Sequence, residues 1–185
     1  MSMRASRRIG VFGASDTQQG SELWRDARDL GGLIARSGYG LVSGGYGGTM
    51  EAVSQGAREA GGGDIVGVTA PKVFPGRKGP NPFITREIAA DSLFERMAIL
   101  TEMSDAFIVL PGAIGTLAEL TIAWNLSYVA PLSGRRAKPV VAVGERWRRI
   151  VAVLDSELGQ ADRHVALADD AAAAFKVVRE RLTGW

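Results

Sequence analysis

Three glycine-rich stretches in this sequence contain the residue types that bind phosphate. The third is Pro111-Gly112-Ala113-Ile114-Gly115-Thr116, which we call the signature loop. It lies between an apolar run and an apolar helical pattern, which predicts a turn from a buried strand into a helix. Glycines leave backbone N–H groups unobstructed, and a helix N-terminus attracts anions. The loop therefore predicts a phosphate site, although a tight turn without a ligand has the same pattern.

The other two glycine-rich stretches also follow short apolar runs. They are Gly13-Ala14-Ser15 and Ser43-Gly44-Gly45-Tyr46-Gly47-Gly48-Thr49. The second has neither the lysine and hydroxyl pair of a phosphate-transferring loop nor a dinucleotide-binding fingerprint. Three such loops at one edge of a sheet favour ligand binding over three separate structural turns.

Two charged residues near the signature loop could take part in chemistry. The carboxylate of Glu119 could interact with a ribose hydroxyl or with a water. Alternatively, Thr116 and Glu119 could form a capping box at the start of the helix. Arg96 lies in a helical pattern beside Glu95, so a solvated salt bridge is the alternative to a site role. Spacing alone leaves both pairs of alternatives open.

The elements that position these residues alternate between strand and helix patterns. This alternation predicts a Rossmann-like, three-layer α/β fold with a central, mostly parallel sheet flanked by helices. The loops after Phe12, Val42 and Leu110 then open at the same edge of the sheet. Strands are predicted at 9–13, 39–42, 65–68, 106–110 and 139–144, with a short segment at 84–88, and helices at 21–37, 50–60, 93–103, 117–128, 147–158 and 169–182.

Composition excludes several classes of site. The chain has 185 residues and no cysteine, so a single domain over 1–185 is expected, without disulfides, thiolate metal sites or a cysteine nucleophile. A single histidine, His164, argues against a histidine metal cage, and no metal or cofactor is predicted. A net charge of +2 without a single-sign block predicts no nucleic-acid partner. No apolar run has the length of a membrane span, so we expect a cytoplasmic protein, with residues 1–7 flexible.

Two further segments have features that point beyond simple packing. Residues 70–82 form a long connection rich in Pro, Gly, Lys and Arg, which is typical of a lid or binding loop. The helix at 117–128 is apolar over more than one stripe, which a subunit interface would explain. Trp124 and Tyr128 on that helix fit the core and the interface equally well. Met97 and Met103 are expected to fill the core.

Taken together, Arg96, the strand at 106–110, the signature loop and Glu119 resemble the Lonely Guy family of Rossmann-like nucleotide-binding proteins. The resemblance covers residues 8–149. It implies hydrolysis of the N-glycosidic bond of a nucleoside 5'-monophosphate, AMP or a cytokinin ribotide, to free base and ribose 5-phosphate. It also implies a homodimer in which the helix at 117–128 contributes to the interface. Family members have been labelled putative lysine decarboxylases, but no lysine here has a pyridoxal phosphate context.

The resemblance also implies a role for each matching residue. Glu119 would be the catalytic carboxylate, and Arg96 would orient that carboxylate and the sugar. The nucleotide and its phosphate would be bound by Gly112, Ala113, Ile114, Gly115, Thr116, Gly44, Gly45, Gly47 and Ser15.

Two departures from the family pattern support a second hypothesis. The family's usual Arg-Lys is Arg96-Met97 here, and the second glycine of its Pro-Gly-Gly is Ala113. The missing lysine favours a non-catalytic carrier of a nucleotide or of molybdenum cofactor. The pair Arg96 and Glu119 favours the enzyme. The base that such an enzyme would recognise is not predicted by the sequence.

Overall fold

A computed structural model describes residues 7–158 and 164–184. The expected flexible segment at 1–7 lies outside the described residues except for Arg7. In the described part, the strands are β1 (Arg8–Phe12), β2 (Gly40–Ser43), β3 (Ile65–Thr69), β4 (Arg86–Ala89), β5 (Ala106–Val109), β6 (Val140–Val143) and β7 (Val165–Ala168). The helices are α1 (Glu22–Arg36), α2 (Thr49–Glu59), α3 (Leu93–Met103), α4 (Ile114–Val129), α5 (Glu145–Leu158) and α6 (Ala171–Thr183), and a short 3₁₀ helix covers Pro131–Ser133.

The strands form one parallel sheet in the order β4-β3-β2-β1-β5-β6-β7. Helices pack on both faces, which confirms the predicted three-layer α/β fold. One core contains side chains of α1, α2 and α6, including Trp24, Val53 and Phe175. The other contains side chains of α3, α4 and α5, including Leu120 and Trp147. Central strands buried on both faces explain the continuous apolar runs in the sequence.

This strand order brings the glycine-rich loops together. β1 lies between β2 and β5, so the loops after these three strands open at one carboxyl edge, as predicted. The chain moves outward from β1 through β2 and β3 to β4, and then returns to place β5 on the other side of β1. Ligands of open α/β sheets bind at such a switch point.

Local sequence signals account for the ends of the helices that flank this edge. Ser21 caps α1 by accepting a hydrogen bond from the Trp24 N–H at 3.2 Å, and Gly38 follows the helix with a φ of +79°. Ser92 caps α3 by accepting from the Glu95 N–H at 3.1 Å. The Glu95 carboxylate accepts from the Asp91 N–H at 2.6 Å, completing a box around the start of α3.

Two predicted elements differ from the structure. The sequence predicted only helical closure after residue 159, but Val165–Ala168 forms β7 beside β6. Only Val165 of its four residues is β-branched, so its pattern carries little of the signal that marks strands. In addition, α4 begins at Ile114 instead of 117, so part of the predicted loop is helix.

α4 has more apolar side chains than one buried face requires, and only some of them are buried in this chain. Trp124 is 7% exposed and belongs to the core, whereas Tyr128 is 40% exposed. Ile114, at the start of the same helix, is 79% exposed. The predicted interface on this helix therefore stays a prediction. Across the described ranges, no helix combines the length and apolarity needed to cross a bilayer.

Candidate active site

Direct hydrogen bonds join the three glycine-rich loops. The Thr49 N–H and hydroxyl both donate to the Ala14 carbonyl, at 2.8 and 2.6 Å. The Ala14 N–H donates to the Pro111 carbonyl at 3.3 Å. Gly48 has a φ of +67°, and a Cβ there would lie 2.5 Å from the Ala14 oxygen. Glycine is needed at this position for both reasons.

The side chain of Arg96, on α3, reaches the same carboxyl edge of the sheet and is buried there, with 5% of the residue exposed. Its Nε donates to the Val68 carbonyl at 2.8 Å, and its Nη2 donates to the Gly44 carbonyl at 3.3 Å. A Cβ on Gly44 would lie 2.0 Å from Nη2, so the glycine makes room for the guanidinium. The alternative of a solvated salt bridge with Glu95 is wrong, because Arg96 points inward and Glu95 closes the start of α3.

Glu119 is the carboxylate partner of Arg96. Glu119 Oε1 lies 3.6 Å from Arg96 Nη1, and the two side chains are 13% and 6% exposed. The capping-box alternative is wrong because Ala113, not Thr116, is the N-cap residue of α4. Glu119 therefore lies in the second turn, where it is free of a capping role. The structure brings together the two residues proposed for catalysis.

Burial governs the protonation of this pair. It raises the pKa of Glu119 from 4.5 to about 7, and the Arg96 charge opposes that rise. Burial also lowers the pKa of Arg96, which the Glu119 charge opposes. A carboxyl group that titrates near neutral pH can both accept and donate a proton under physiological conditions.

The signature loop is supported from α5. Arg146 Nη1 donates to the Gly112 carbonyl at 2.9 Å, and Trp147 Nε1 donates to the Leu110 carbonyl at 2.9 Å. Gly112 packs against Thr116, since a Cβ there would lie 2.2 Å from the threonine Oγ1. No side chain caps the first turn of α4, and a Cβ on Gly115 would meet no atom within 4 Å. An uncapped helix N-terminus next to open space suits an anion.

A pocket of about 180 Å³ opens at this edge of the sheet, and we call it the Arg77 pocket. It is lined by Ser15, Tyr46, Gly47, Arg77 and Lys78. Sequence reasoning predicted two of the five, Ser15 and Gly47. It missed the other three, although Arg77 and Lys78 lie in the long loop that was expected to bind ligand. The other residues predicted to bind the nucleotide lie outside this lining: Gly44, Gly45, Gly112, Ala113, Ile114, Gly115 and Thr116.

Gly45 has a structural role in the described contacts. Its φ is +75°, and its Cα lies beside Gly67 of β3. Its carbonyl accepts hydrogen bonds from the backbone N–H and side-chain amide of Asn81, at 2.8 and 3.2 Å. These bonds attach the end of the 70–82 loop to the loop after β2.

A larger pocket, of about 440 Å³, lies at the opposite edge of the sheet. Its lining includes Lys138, just before β6, and His164, just before β7. It contains none of the predicted site residues, so volume alone does not identify the site. Among the residues that the structure describes, no group of three or more His, Cys, Asp or Glu side chains could hold a metal ion.

Comparison with known proteins identifies a family and several relatives of this chain. Residues 6–170 match the model of the SLOG cluster4 family. A protein of Mycobacterium tuberculosis named cytokinin riboside 5'-monophosphate phosphoribohydrolase is 41% identical over 124 residues, which cover 66% of this chain and 63% of that relative. An uncharacterized protein of Archaeoglobus fulgidus is 38% identical over 116 residues, which cover 62% of this chain and 72% of that protein. The chain thus matches somewhat less than two thirds of the mycobacterial relative's length.

Solved structures with this fold include two proteins associated with molybdenum cofactor. The molybdenum cofactor carrier protein of Chlamydomonas reinhardtii superposes with a TM-score of 0.71 at 26% identity, covering 97% of this chain and 99% of that one. The molybdenum cofactor binding protein of Rippkaea orientalis superposes with a TM-score of 0.76 at 23% identity over the same shares. The second match shows a shared fold.

Proposed function

The chain belongs to the SLOG cluster4 family, and we propose that it hydrolyses the N-glycosidic bond of a nucleoside 5'-monophosphate, AMP or a cytokinin-type ribotide. The products would be the free base and ribose 5-phosphate. The resemblance to the Lonely Guy family is confirmed by relatives named cytokinin riboside 5'-monophosphate phosphoribohydrolase, among them the mycobacterial protein. Their names describe this reaction for those proteins, and the local geometry supports it here.

The buried pair of Glu119 and Arg96 is the observation that carries the proposal. Cleavage of an N-glycosidic bond develops positive charge on the ribose ring, which a nearby carboxylate stabilises. In the proposed reaction, Glu119 faces that charge and orients a water whose oxygen bonds to the anomeric carbon. The bond from that carbon to the base breaks, and the proton released by the water compensates for the charge on the leaving base. Arg96 holds the carboxylate at 3.6 Å.

The uncapped start of α4 supports phosphate binding in this scheme. Its first turn would hold the phosphate through the N–H groups of residues 114–116, at a distance from the bond that breaks. Binding energy from a remote group can then position the ribose against Glu119. Ser15, Gly44 and Gly47 would complete the nucleotide-binding site around it.

We also propose that the protein acts as a homodimer through the start of α3 and the outer face of α4. The exposed apolar side chains of this region are Leu93, Phe94, Ile114, Leu126, Tyr128, Val129 and Leu132. Phe94 is 88% exposed, which is unusual for a phenylalanine in a protein that stays monomeric.

The alternative function is a non-catalytic carrier of a nucleotide or molybdenum cofactor. It is favoured by the likeness to the Chlamydomonas carrier and by Met97 in place of the family's lysine. However, Met97 is 7% exposed and belongs to the same buried core as Leu100 and Phe107. The methionine thus contributes to packing and leaves Arg96 and Glu119 in contact. The enzyme is therefore the better-supported proposal.

The test is chromatographic detection of free base after incubation with AMP and with a cytokinin ribotide. We expect release by the wild-type protein and a loss of roughly 100-fold or more in Glu119→Gln, which removes the negative charge at nearly constant volume. Glu180→Gln, an exposed change on α6, is the matched control and should retain activity. Full activity in Glu119→Gln would refute the assignment. Tight AMP binding without release from any nucleotide would support the carrier.

A further inference from the structure

The long loop at 70–82 is held against the site by several hydrogen bonds. The Ala70 N–H donates to the Tyr46 hydroxyl at 2.7 Å, and the Asn81 side-chain amide donates to the Tyr46 carbonyl at 3.0 Å. Phe74 packs edge-on against the Tyr46 ring, with centroids 5.9 Å apart. The loop is therefore anchored on both sides of residue 77, which restricts where the side chain of that residue can reach.

Arg77 projects from this loop onto two aromatic rings. Its guanidinium carbon lies 4.3 Å from the Phe74 ring centroid and 4.8 Å from that of Tyr46. Its Nη2 donates to the Ser15 hydroxyl at 3.3 Å. Aromatic stacking orients the planar guanidinium while leaving donors at its edge available for a phosphate.

The residues that line the Arg77 pocket are net cationic, although Glu51 Oε2 lies 3.7 Å from the position that a Cβ on Gly47 would take. The lining contains two cations, Arg77 and Lys78, and no carboxylate. Within the described residues, neither cation forms an ion pair. A volume of about 180 Å³ is smaller than the ~300–1,000 Å³ of pockets that enclose a whole ligand. The pocket thus matches one anionic group better than a complete nucleotide.

The pocket adjoins both the signature loop and the proposed catalytic pair. Ser15 follows Ala14, whose N–H donates to the Pro111 carbonyl. Arg96 lies over the same Phe74 ring as Arg77, with its guanidinium carbon 5.9 Å from the centroid. The Arg77 charge also lowers the pKa of Glu119 and of Arg96. Met97 lies in the core, so position 97 supplies no positive charge to the ligand. Arg77 and Lys78 of the loop instead place positive charge beside Ser15.

We propose that Arg77 is a substrate-binding residue whose guanidinium binds the phosphate group of the nucleotide, together with Lys78 and the Ser15 hydroxyl. This inference rests on the proposed function for the identity of the ligand as a nucleoside monophosphate. It adds a specificity determinant from outside the signature loop. A forked guanidinium contributes to phosphate affinity by two parallel hydrogen bonds as well as by charge.

The test uses isothermal titration with ribose 5-phosphate and with adenosine, which separate the phosphate from the base. Arg77→Gln is expected to weaken ribose 5-phosphate binding about 10-fold or more, and to leave adenosine binding unchanged. Arg77→Lys should retain part of the affinity, because it keeps the charge and loses the fork. Lys72→Gln is the matched control, since Lys72 lies in the same loop but pairs with Asp91 at 2.9 Å, outside the pocket.

The outcomes separate this proposal from the proposed reaction. A loss of ribose 5-phosphate binding in Arg77→Gln supports the phosphate role even if no nucleotide is hydrolysed. Equal affinity in the wild type and Arg77→Gln overturns it even if base release is observed. Equal weakening of both probes, or no binding of ribose 5-phosphate to the wild type, also overturns it. If hydrolysis occurs, Arg77→Gln should raise KM for AMP more than it lowers kcat.

Discussion

Replacing Glu119 with glutamine is expected to change how the stability of the protein depends on pH. Burial raises the pKa of this carboxyl group from 4.5 to about 7 in the folded protein. In the unfolded chain the group is solvated and titrates at its ordinary value. Between these two values the folded state keeps a proton that the unfolded state has released. The wild-type protein therefore loses stability as the pH rises through this range.

The magnitude follows from the separation of the two pKa values. Each pH unit of this separation corresponds to about 1.36 kcal/mol. A rise from 4.5 to about 7 thus costs the wild-type folded state roughly 3 kcal/mol by pH 8. Glutamine resembles the protonated carboxyl group at every pH, so Glu119→Gln lacks this loss. The variant should match the wild type near pH 4.5 and be the more stable protein at pH 8.

The measurement is urea unfolding at pH 5, 6, 7 and 8, monitored by the fluorescence of the protein's 4 tryptophans. The quantity to compare is the difference in unfolding free energy between Glu119→Gln and the wild type at each pH. Other titrating groups cancel in this difference because both proteins contain them. Glu180→Gln controls for loss of an exposed carboxylate and should show no such trend.

Two results would refute the reasoning. A difference that stays constant with pH would mean that Glu119 titrates alike in the folded and unfolded states. A difference that falls as the pH rises would mean that the Arg96 charge outweighs burial and holds the carboxylate ionised. In either case Glu119 would not titrate near neutral pH in the folded protein.

Two further variants test the packing of the site and the proposed dimer. Gly44→Ala should lower the unfolding free energy by about 1–3 kcal/mol, because the added Cβ would lie 2.0 Å from Arg96 Nη2. Calorimetry should show no comparable loss for Gly47→Ala, whose Cβ would lie 3.7 Å from its nearest neighbour, and equal stability of the two variants would contradict the clash. Phe94→Ser should convert a dimer to a monomer in sedimentation velocity, whereas Val153→Ser, on α5, should not. An unchanged mass for Phe94→Ser would rule out the proposed interface.

Local patterns in the sequence were sufficient to predict the layers and the edge that holds the site. Continuous apolar runs such as Phe107–Val109 mark strands buried on both faces, and alternation with helices implies parallel connections. From these connections alone, the glycine-rich loops were expected at one edge. The exceptions were β7 and the start of α4. Alanine-rich segments such as 165–168 carry little periodic signal, and Thr116 resembled a cap when the true cap is Ala113.

The sequence by itself determined which residue types were available: glycines after the strands, Glu119 after the signature loop, and Arg96 in a mostly apolar helix. Only the tertiary structure excluded the capping role of Glu119 and the solvated pairing of Arg96 with Glu95. The contact between Arg96 and Glu119, and the placement of Arg77 over Tyr46 and Phe74, join side chains from different elements. Periodicity reports which face of one element is buried. It contains no information on how far two such faces lie from each other, and that distance determines both the ion pair and the desolvation that raises the pKa of Glu119.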